Sequence, residues 1–278
     1  MGLRLSVWLH SGAECTPSST SPWSSLAVPL SARLAVLLSS SPAPPGHVHS
    51  QWSSVHRSPH LLLSACEEEV TRAPVEQSSD GARAERGVRS GLHIWELLWS
   101  PEQRGSHAVI GVSTKNCPLQ ASGYSVLVGG DSQSWGWELK TNQLWHDGKS
   151  TGFYPGKRNS QHFEQHFTDS DPSLDIPNQV LLVLDADDGS LGFVVNGSFL
   201  GVAFGELPRD VDLFPAVSSV RGGATIRLRY VNGARREPPT LMALCRLSIC
   251  QNLKKNQSQT ETLPLPPFLQ HYLSSGLQ

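Results

Sequence analysis

Short apolar runs recur from about residue 90 onward in this chain of 278 residues. They are rich in Val, Ile, Leu and aromatic residues, and turn-forming residues separate them about every ten positions. Because strand follows strand without a helical pattern between them, the sequence predicts an antiparallel β-sandwich. The predicted strands are 91-GLHIWELLW-99, 106-SHAVIGVST-114, 124-YSVLVG-129, 134-SWGWEL-139, 179-QVLLVLD-185, 190-SLGFVVN-196, 199-FLGVAF-204, 213-LFPAVSSV-220 and 224-ATIRLRYV-231.

The side-chain pattern inside two of these runs indicates how each strand is buried. In 224-ATIRLRYV-231, Arg227 and Arg229 alternate with apolar residues, which is the period of a strand with one buried face. In 91-GLHIWELLW-99 both faces are largely apolar. This second pattern predicts a central strand of a two-sheet sandwich.

Two dipeptides predict tight turns between strands. Asn196-Gly197 separates two apolar runs, and both residues tolerate the positive φ that a type I′ hairpin requires. Asp188-Gly189 predicts a second turn of the same sort. Both turns favour antiparallel pairing of the strands that flank them.

Composition and charge narrow the possible functions. The formal net charge of −2 does not favour binding to nucleic acid or to a membrane surface. No apolar run reaches the ~18 residues that a membrane-spanning helix needs. The cysteines are odd in number and form no C-x-x-C pair, which indicates a reduced intracellular protein and predicts a cytoplasmic location. They are Cys15, Cys66, Cys117, Cys245 and Cys250.

Two segments differ from the β-rich pattern. Residues 1–50 are rich in Ser and Pro and bury too little apolar surface to offset the entropy of ordering, so we expect them to be mostly disordered. Residues 155–177 are polar and predict a long surface insertion. His162 and His166 within it could bind a metal on a helix, but no further ligand stands at a recognisable spacing. We therefore expect no metal site and no cofactor.

An amphipathic helix is predicted after the β-rich part, within 238-PPTLMALCRLSICQNL-253. Thr240 follows two prolines and is suited to cap its first turn. The helix could pack on its own sandwich or dock into a partner, and spacing alone leaves both possibilities open. The apolar face that repeats at helical spacing consists of Leu241, Leu244, Cys245, Ser248 and Ile249.

The C-terminal motifs resemble a SOCS box. Thr240-Leu241-x-x-x-Cys245-x-x-x-Ile249 is similar to its elongin-binding box, to which Leu244 also belongs. The later stretch 263-LPLPPFLQHYL-273 begins with a motif that resembles the cullin-selecting box, of the type that recruits the type-five cullin. The residues of this second motif are Leu263, Pro264, Leu265 and Pro266.

The upstream part resembles a SPRY domain, and the chain as a whole is similar to the SPRY domain-containing SOCS box proteins. The resemblance implies a mainly β fold, with an antiparallel sandwich followed by a small α-helical SOCS box. The resemblance implies a SPRY domain over 51–235 and a SOCS box over 236–278, which follow the Ser- and Pro-rich segment 1–50 that is expected to be disordered. The resemblance to a SPRY domain rests on 77-QSSDGARAERGVRSGLHIWELLW-99, 103-QRGSHAVIGVST-114, 132-SQSWGWEL-139 and 181-LLVLDADDGSLGFVVNGSFLGVAF-204.

The resemblance implies a substrate-recognition adaptor and not an enzyme. In that family the SPRY domain captures peptides of the form Asp/Glu-Ile/Leu-Asn-Asn-Asn, for example in inducible nitric oxide synthase. The SOCS box joins elongin B/C, the type-five cullin and its RING partner in a ubiquitin ligase. Neither activity requires a cofactor.

The family's peptide site carries over to this chain with two departures. Arg221 stands where the family has Trp, and Glu76 replaces a small residue beside the site. Ser106 stands where the family has Thr and keeps the hydroxyl. The resemblance implies that Arg72 meets the acidic residue of the peptide and that Tyr124 forms an apolar wall. The complete set is Arg72, Pro74, Gln77, Ser106, Tyr124, Leu127, Val220, Arg221 and Gly222.

Two other functions remain open at the level of sequence. The chain could be a SPRY interaction module whose C-terminal helices only pack internally. It could also be an enzyme, but the sequence has no nucleophile elbow, no phosphate-binding loop and no zinc-ligand cluster.

Overall fold

The computed structural model describes residues 22–156, 174–235, 240–255 and 263–275. The helices in these ranges are α1 (Pro22–Leu26), α2 (Ala32–Ser39), α3 (Leu241–Lys255) and α4 (Pro267–Ser275). The strands are β1 (Trp52–Arg57), β2 (Leu61–Leu63), β3 (Glu69–Arg72), β4 (Ser78–Ala84), β5 (Leu92–Leu98), β6 (Val109–Ser113), β7 (Gln120–Ser122), β8 (Ser134–Glu138), β9 (Gln143–His146), β10 (Lys149–Phe153), β11 (Gln179–Asp185), β12 (Ser190–Val195), β13 (Ser198–Phe204), β14 (Phe214–Ser219) and β15 (Thr225–Ala234).

The strands form two sheets, and every strand pairing in them is antiparallel. The first sheet has the order β1-β4-β14-β6-β8-β9-β10, with β7 added beside β4. The second has the order β13-β12-β11-β5-β15-β3-β2. Apolar side chains from both sheets meet in one core, so the predicted antiparallel sandwich is confirmed.

Both strand patterns noted in the sequence are confirmed, since β5 is the middle strand of the second sheet. On β15 the alternation is confirmed, since Ile226 and Leu228 are buried while Arg227 pairs with Glu68 at 2.8 Å on the outer face. On β5 both faces are buried, but only one of them faces the other sheet. The second apolar face of β5 is therefore not explained by the sandwich itself.

Helix α2 covers that second face. Its Leu34 and Leu37 pack with Ile94 of β5 and with apolar residues of the neighbouring strands. Arg33 fixes the start of the helix, because its guanidinium donates to Asp187 at 3.1 Å. The structure therefore corrects the expectation of disorder for residues 22–50, while residues 1–21 lie outside the described residues. The Ser- and Pro-rich composition of residues 1–50 predicted disorder although the segment contains the short apolar run 32-ARLAVLLS-39. The burial of this run depends on an apolar sheet face elsewhere in the chain.

Of the two predicted tight turns, the one at Asn196-Gly197 is confirmed and the one at Asp188-Gly189 is wrong in its length. Asn196 and Gly197 have φ values of 48° and 74° and connect β12 to β13, as predicted. The β11–β12 connection runs over residues 186–189, and within it only Gly189 has a positive φ, at 66°. This turn is longer than the predicted two-residue type.

One predicted strand is absent from the sheets, and one predicted insertion is only partly described. The run 124-YSVLVG-129 is a loop and not a strand, because side-chain hydroxyls of other strands bind its backbone. The predicted insertion at 155–177 is described only at its two ends, so His162 and His166 lie outside the described residues. Among the described residues, no helix is long and apolar enough to cross a membrane.

Candidate functional site

Four loops meet at one end of the sandwich. They connect β3 to β4, β5 to β6, β7 to β8, and β14 to β15. Gly222 packs so closely on Pro74 that an added β-carbon would lie 2.7 Å from the Pro74 Cα. Gly105 is equally close to Arg221, with 2.8 Å between an added β-carbon and the Arg221 Cβ. These contacts bring three of the four loops together.

The fourth loop is joined through the backbone of Gln77. The Gly123 amide donates to the Gln77 carbonyl at 2.8 Å, which places Tyr124 beside the β3–β4 loop. Tyr124 is 47% exposed, a large value for an aromatic side chain. Gln77 is also exposed and has a φ of 52°. The structure therefore brings Pro74, Gln77 and Tyr124 onto one surface with Arg221 and Gly222.

Ser79 holds the loop that carries Tyr124. Its hydroxyl donates to the Gly123 carbonyl at 2.9 Å and lies 3.0 Å from the Ser125 carbonyl, while the Ser125 amide donates back to it at 2.9 Å. Leu127 turns inward and is only 7% exposed, against Gly81 of β4. Leu127 therefore supports this surface from below.

Arg72 also lies below the surface. It is 1% exposed, and its Nε donates to Asp80 Oδ2 at 2.8 Å. Its Nη2 donates to the carbonyls of Val75 and Ser78, each at 2.8 Å. These bonds fix the β3–β4 loop that carries Pro74 and Gln77. The structure thus assigns Arg72 to loop support, which corrects the expectation that its guanidinium meets an acidic ligand residue.

Asp80 is the counter-charge that makes this burial possible. Its carboxylate accepts hydrogen bonds from Ser58 at 2.6 Å, from Ser78 at 3.0 Å and from Arg72. Burial alone would raise its pKa, but the bonds from Ser58 and Ser78 and the charge of Arg72 outweigh that effect and hold the pKa of Asp80 below its ordinary value. Asp80 is therefore ionised at neutral pH and balances the buried guanidinium.

The remaining predicted residues lie at the rim of the same surface. Ser106 is exposed, and its hydroxyl lies 2.8 Å from His107 Nδ1. Val220 is half-buried between β14 and the exposed residues Arg221 and Gly222.

Sequence reasoning missed Ser79 and Asp80, because the polar run 78-SSDGARA-84 has no strand pattern although all of β4 is buried. No local signal could have identified Ser79, since the groups that satisfy its hydroxyl lie 44 and 46 residues away.

Helix α3 presents its predicted face to solvent. Thr240 caps the helix as predicted, since its Oγ1 accepts from the Ala243 amide at 3.2 Å. Leu241 is 77% exposed and Ile249 38% exposed, Cys245 is also exposed, and Leu244 is half-buried. The face that packs inward is a different one, with Ala243 and Arg246 at its centre.

Arg246 connects α3 to two other helices. Its guanidinium donates to the Ser39 carbonyl at the end of α2 at 3.2 Å, and to the Tyr272 and Leu273 carbonyls of α4 at 3.1 and 3.3 Å. The side chain is buried, so these carbonyls satisfy most of its donors. Sequence reasoning did not single out Arg246, because one arginine in an exposed-looking helix has no distinguishing local pattern.

The segment before α4 adopts a compact turn. The Leu265 amide donates to the Leu263 carbonyl at 2.7 Å, and the Gln270 side chain donates to the same carbonyl at 2.9 Å. Leu263 and Leu265 are half-buried, whereas Pro264 and Pro266 are exposed. The four residues therefore present a fixed surface beside the first turn of α4.

Comparison with known proteins agrees with this two-part organisation. The SPRY domain family matches residues 92–231, and the SOCS box family matches residues 237–274. Human SPRY domain-containing SOCS box protein 1 is 41% identical over 230 residues, which cover 81% of this chain and 80% of that protein. Human SPRY domain-containing SOCS box protein 2 is 38% identical over 95% of this chain and 97% of that protein. Protein gustavus of Drosophila melanogaster is 38% identical over 87% of this chain and 85% of that protein.

Proposed function

Because the chain belongs to the SPRY domain-containing SOCS box proteins, we propose that it is the substrate-recognition adaptor of an elongin B/C–cullin-RING ubiquitin ligase. The SPRY domain holds a target protein, and the SOCS box recruits the ligase. Holding both at once raises the effective concentration of the target beside the ubiquitin-loaded partner. The ubiquitinated target is then degraded by the proteasome. The adaptor needs no catalytic residue for this role, and we place it in the cytoplasm.

The outward face of α3 is the observation that carries the proposal. A helix whose inner face is already packed leaves a second apolar face free for a partner groove. Leu241, Cys245 and Ile249 form that free face. We propose that Leu241 and Cys245 insert into elongin C, since a few buried anchors provide most of the energy in such contacts.

The cullin contact is proposed for the four residues that precede α4. Prolines restrict the backbone of this compact turn, so Leu263 and Leu265 are presented with little ordering cost on binding. The hydrogen bonds to the Leu263 carbonyl support this presentation. The partner is the type-five cullin with its RING protein, and elongin binding is largely independent of this segment.

The peptide site is proposed for the surface where the four loops meet. It takes an extended Asn-rich peptide of the form Asp/Glu-Ile/Leu-Asn-Asn-Asn, such as the family binds in inducible nitric oxide synthase. Tyr124 offers a flat wall with a polar tip, and Gln77 offers both a donor and an acceptor to an Asn side chain. Backbone groups near Val220 and Gly222 supply further partners. Replacing an Asn of the peptide would leave such groups unpaired, which is why the site selects amides.

The ligase contact is tested with a double variant of α3. Leu241→Ala with Cys245→Phe removes one anchor and enlarges the other, and truncation of a hot-spot Leu costs about 2 kcal/mol or more, which is roughly 30-fold in affinity. We expect the full-length variant to lose elongin B/C in co-purification. Its thermal unfolding should remain unchanged, because both side chains are exposed in the free protein.

Phe268→Ala is the matched control for this experiment. Phe268 is also a large exposed apolar side chain, at 69%, but it lies on α4 and not on α3. We expect this variant to retain elongin B/C. Undiminished recovery of elongin B/C with the α3 double variant would contradict the proposal and leave a SPRY interaction module without ligase recruitment.

A further inference from the structure

The buried position of Arg72 leaves the acidic residue of the ligand without a partner. Its guanidinium is already bonded to Asp80 and to backbone carbonyls, as described above. In the segments that form the surface, namely 73–78, 105–107, 123–127 and 220–223, Arg221 is the only Arg or Lys. A carboxylate that enters this surface therefore has one permanent cation to pair with.

The conformation of Arg221 suits this task. Its aliphatic stem lies along Gly105, where an added β-carbon would be 2.8 Å from Cβ, 3.6 Å from Cγ and 3.5 Å from Cδ. Its amide donates to the Ser219 hydroxyl at 3.2 Å, which holds the backbone. Because the stem rests on a neighbouring loop, less conformational freedom is lost when the guanidinium binds a ligand.

The charged end of Arg221 is free. The residue is exposed, and within the described parts of the chain its guanidinium makes no hydrogen bond and no ion pair. Two other exposed arginines are already paired, Arg89 with Asp212 at 2.9 Å and Arg227 with Glu68 at 2.8 Å. The five donors of a free guanidinium match a carboxylate in bidentate geometry.

We propose that Arg221 is the specificity-determining residue of this surface, and that it selects ligands by pairing with one acidic side chain of the bound peptide. The proposal rests on the peptide site proposed above. Glu76 opposes it, since its exposed side chain lies in the same loop as Pro74 and repels an acidic ligand. The surface therefore selects ligands by their charge as well as by their amide groups, and Arg221 favours a negatively charged ligand residue.

A positional peptide array tests this assignment. The probe is Asp-Ile-Asn-Asn-Asn, with each position changed in turn to Asp, Asn, Ala and Lys. The full-length protein and the variants Arg221→Gln, Arg221→Glu and Glu76→Gln are compared at low and high salt. Arg221 and Glu76 are exposed, so these changes leave the fold intact, and unchanged thermal unfolding is the control for this.

We expect the wild-type protein to prefer Asp over Asn, Ala and Lys at one position by about five- to tenfold, and to lose this preference at high salt. Arg221→Gln should remove the preference for Asp at that position, and Arg221→Glu should replace it with a preference for Lys. Glu76→Gln should increase the preference for Asp. Equal profiles for wild type and Arg221→Gln, with peptide binding retained, would overturn the role of Arg221 alone. Absence of binding by the wild-type protein to every peptide would overturn the peptide site itself.

Discussion

At the scale of single residues, the candidate peptide surface depends on a charged pair that a ligand does not touch. Arg72 is buried, Asp80 is fully buried, and their contact at 2.8 Å links the end of β3 to β4. A buried pair of this kind contributes little net stability when compared with apolar residues of the same volume. Removal of one partner is costly, however, because it leaves the other charge uncompensated.

Asp80→Asn is therefore expected to destabilise the protein by about 3 kcal/mol, since the Arg72 guanidinium would lose its counter-charge. The β3–β4 loop should loosen, and Asn-rich peptides should bind more weakly. Urea unfolding measures the first effect and peptide titration the second. Asp212→Asn is the matched control, because it breaks the exposed pair with Arg89, whose side chain is 60% exposed, and should cost at most about 1 kcal/mol. Equal unfolding free energies for the two variants would contradict this account.

At the scale of secondary-structure elements, α2 connects the sandwich to the helical appendage. Its Leu34 and Leu37 pack on the outer face of the second sheet, and the Ser39 carbonyl at its end accepts from Arg246 of α3. The same arginine holds two carbonyls of α4. One buried side chain thus joins three helices, of which α2 lies far from α3 and α4 in sequence.

Arg246→Met tests this connection while keeping an unbranched apolar stem. The change leaves three carbonyls without their donor, and each such loss costs about 1 kcal/mol or more when the group is buried. We expect amide hydrogen exchange in α3 and α4 to accelerate by tenfold or more, with the sandwich unaffected. Arg89→Met on the surface is the control. Unchanged protection of α3 and α4 would show that other contacts hold the appendage.

Some secondary-structure elements could be predicted from the sequence alone and others could not. The β12–β13 hairpin and the alternation of β15 were predictable, because turn chemistry and side-chain period are local properties. The loop at 124–129 was mistaken for a strand, since its apolar residues resemble a strand while Ser79 and Ser218 satisfy its backbone from elsewhere. Helix α2 was not predicted, because its apolar face is buried only by packing on the outer face of β5, which a local sequence pattern does not show. In the candidate site, the exposed residues were predicted from resemblance. The buried support at Ser79 depends on the backbone of the distant loop at 123–125, and the support at Asp80 depends on the burial of β4, which its polar sequence does not indicate.

At the scale of the whole molecule, the account requires that two separate surfaces act together. In the proposed function, the loop surface around Tyr124 binds the target and the outward face of α3 binds elongin C. Neither surface uses residues of the other, so a change in one should leave binding at the other intact. Only a chain with both surfaces functional should bring a target to the ligase.

The most direct test is ubiquitin transfer to a reporter protein that carries Asp-Ile-Asn-Asn-Asn, in a reaction reconstituted with elongin B/C, the type-five cullin and its RING partner, ubiquitin, the activating and conjugating enzymes, and ATP. The wild-type chain should support transfer. Tyr124→Ala should abolish transfer while retaining elongin B/C, and Leu241→Ala with Cys245→Phe should abolish it while retaining the reporter. Transfer that persists with either variant at the wild-type rate, or that never occurs although both partners are bound, would contradict the account.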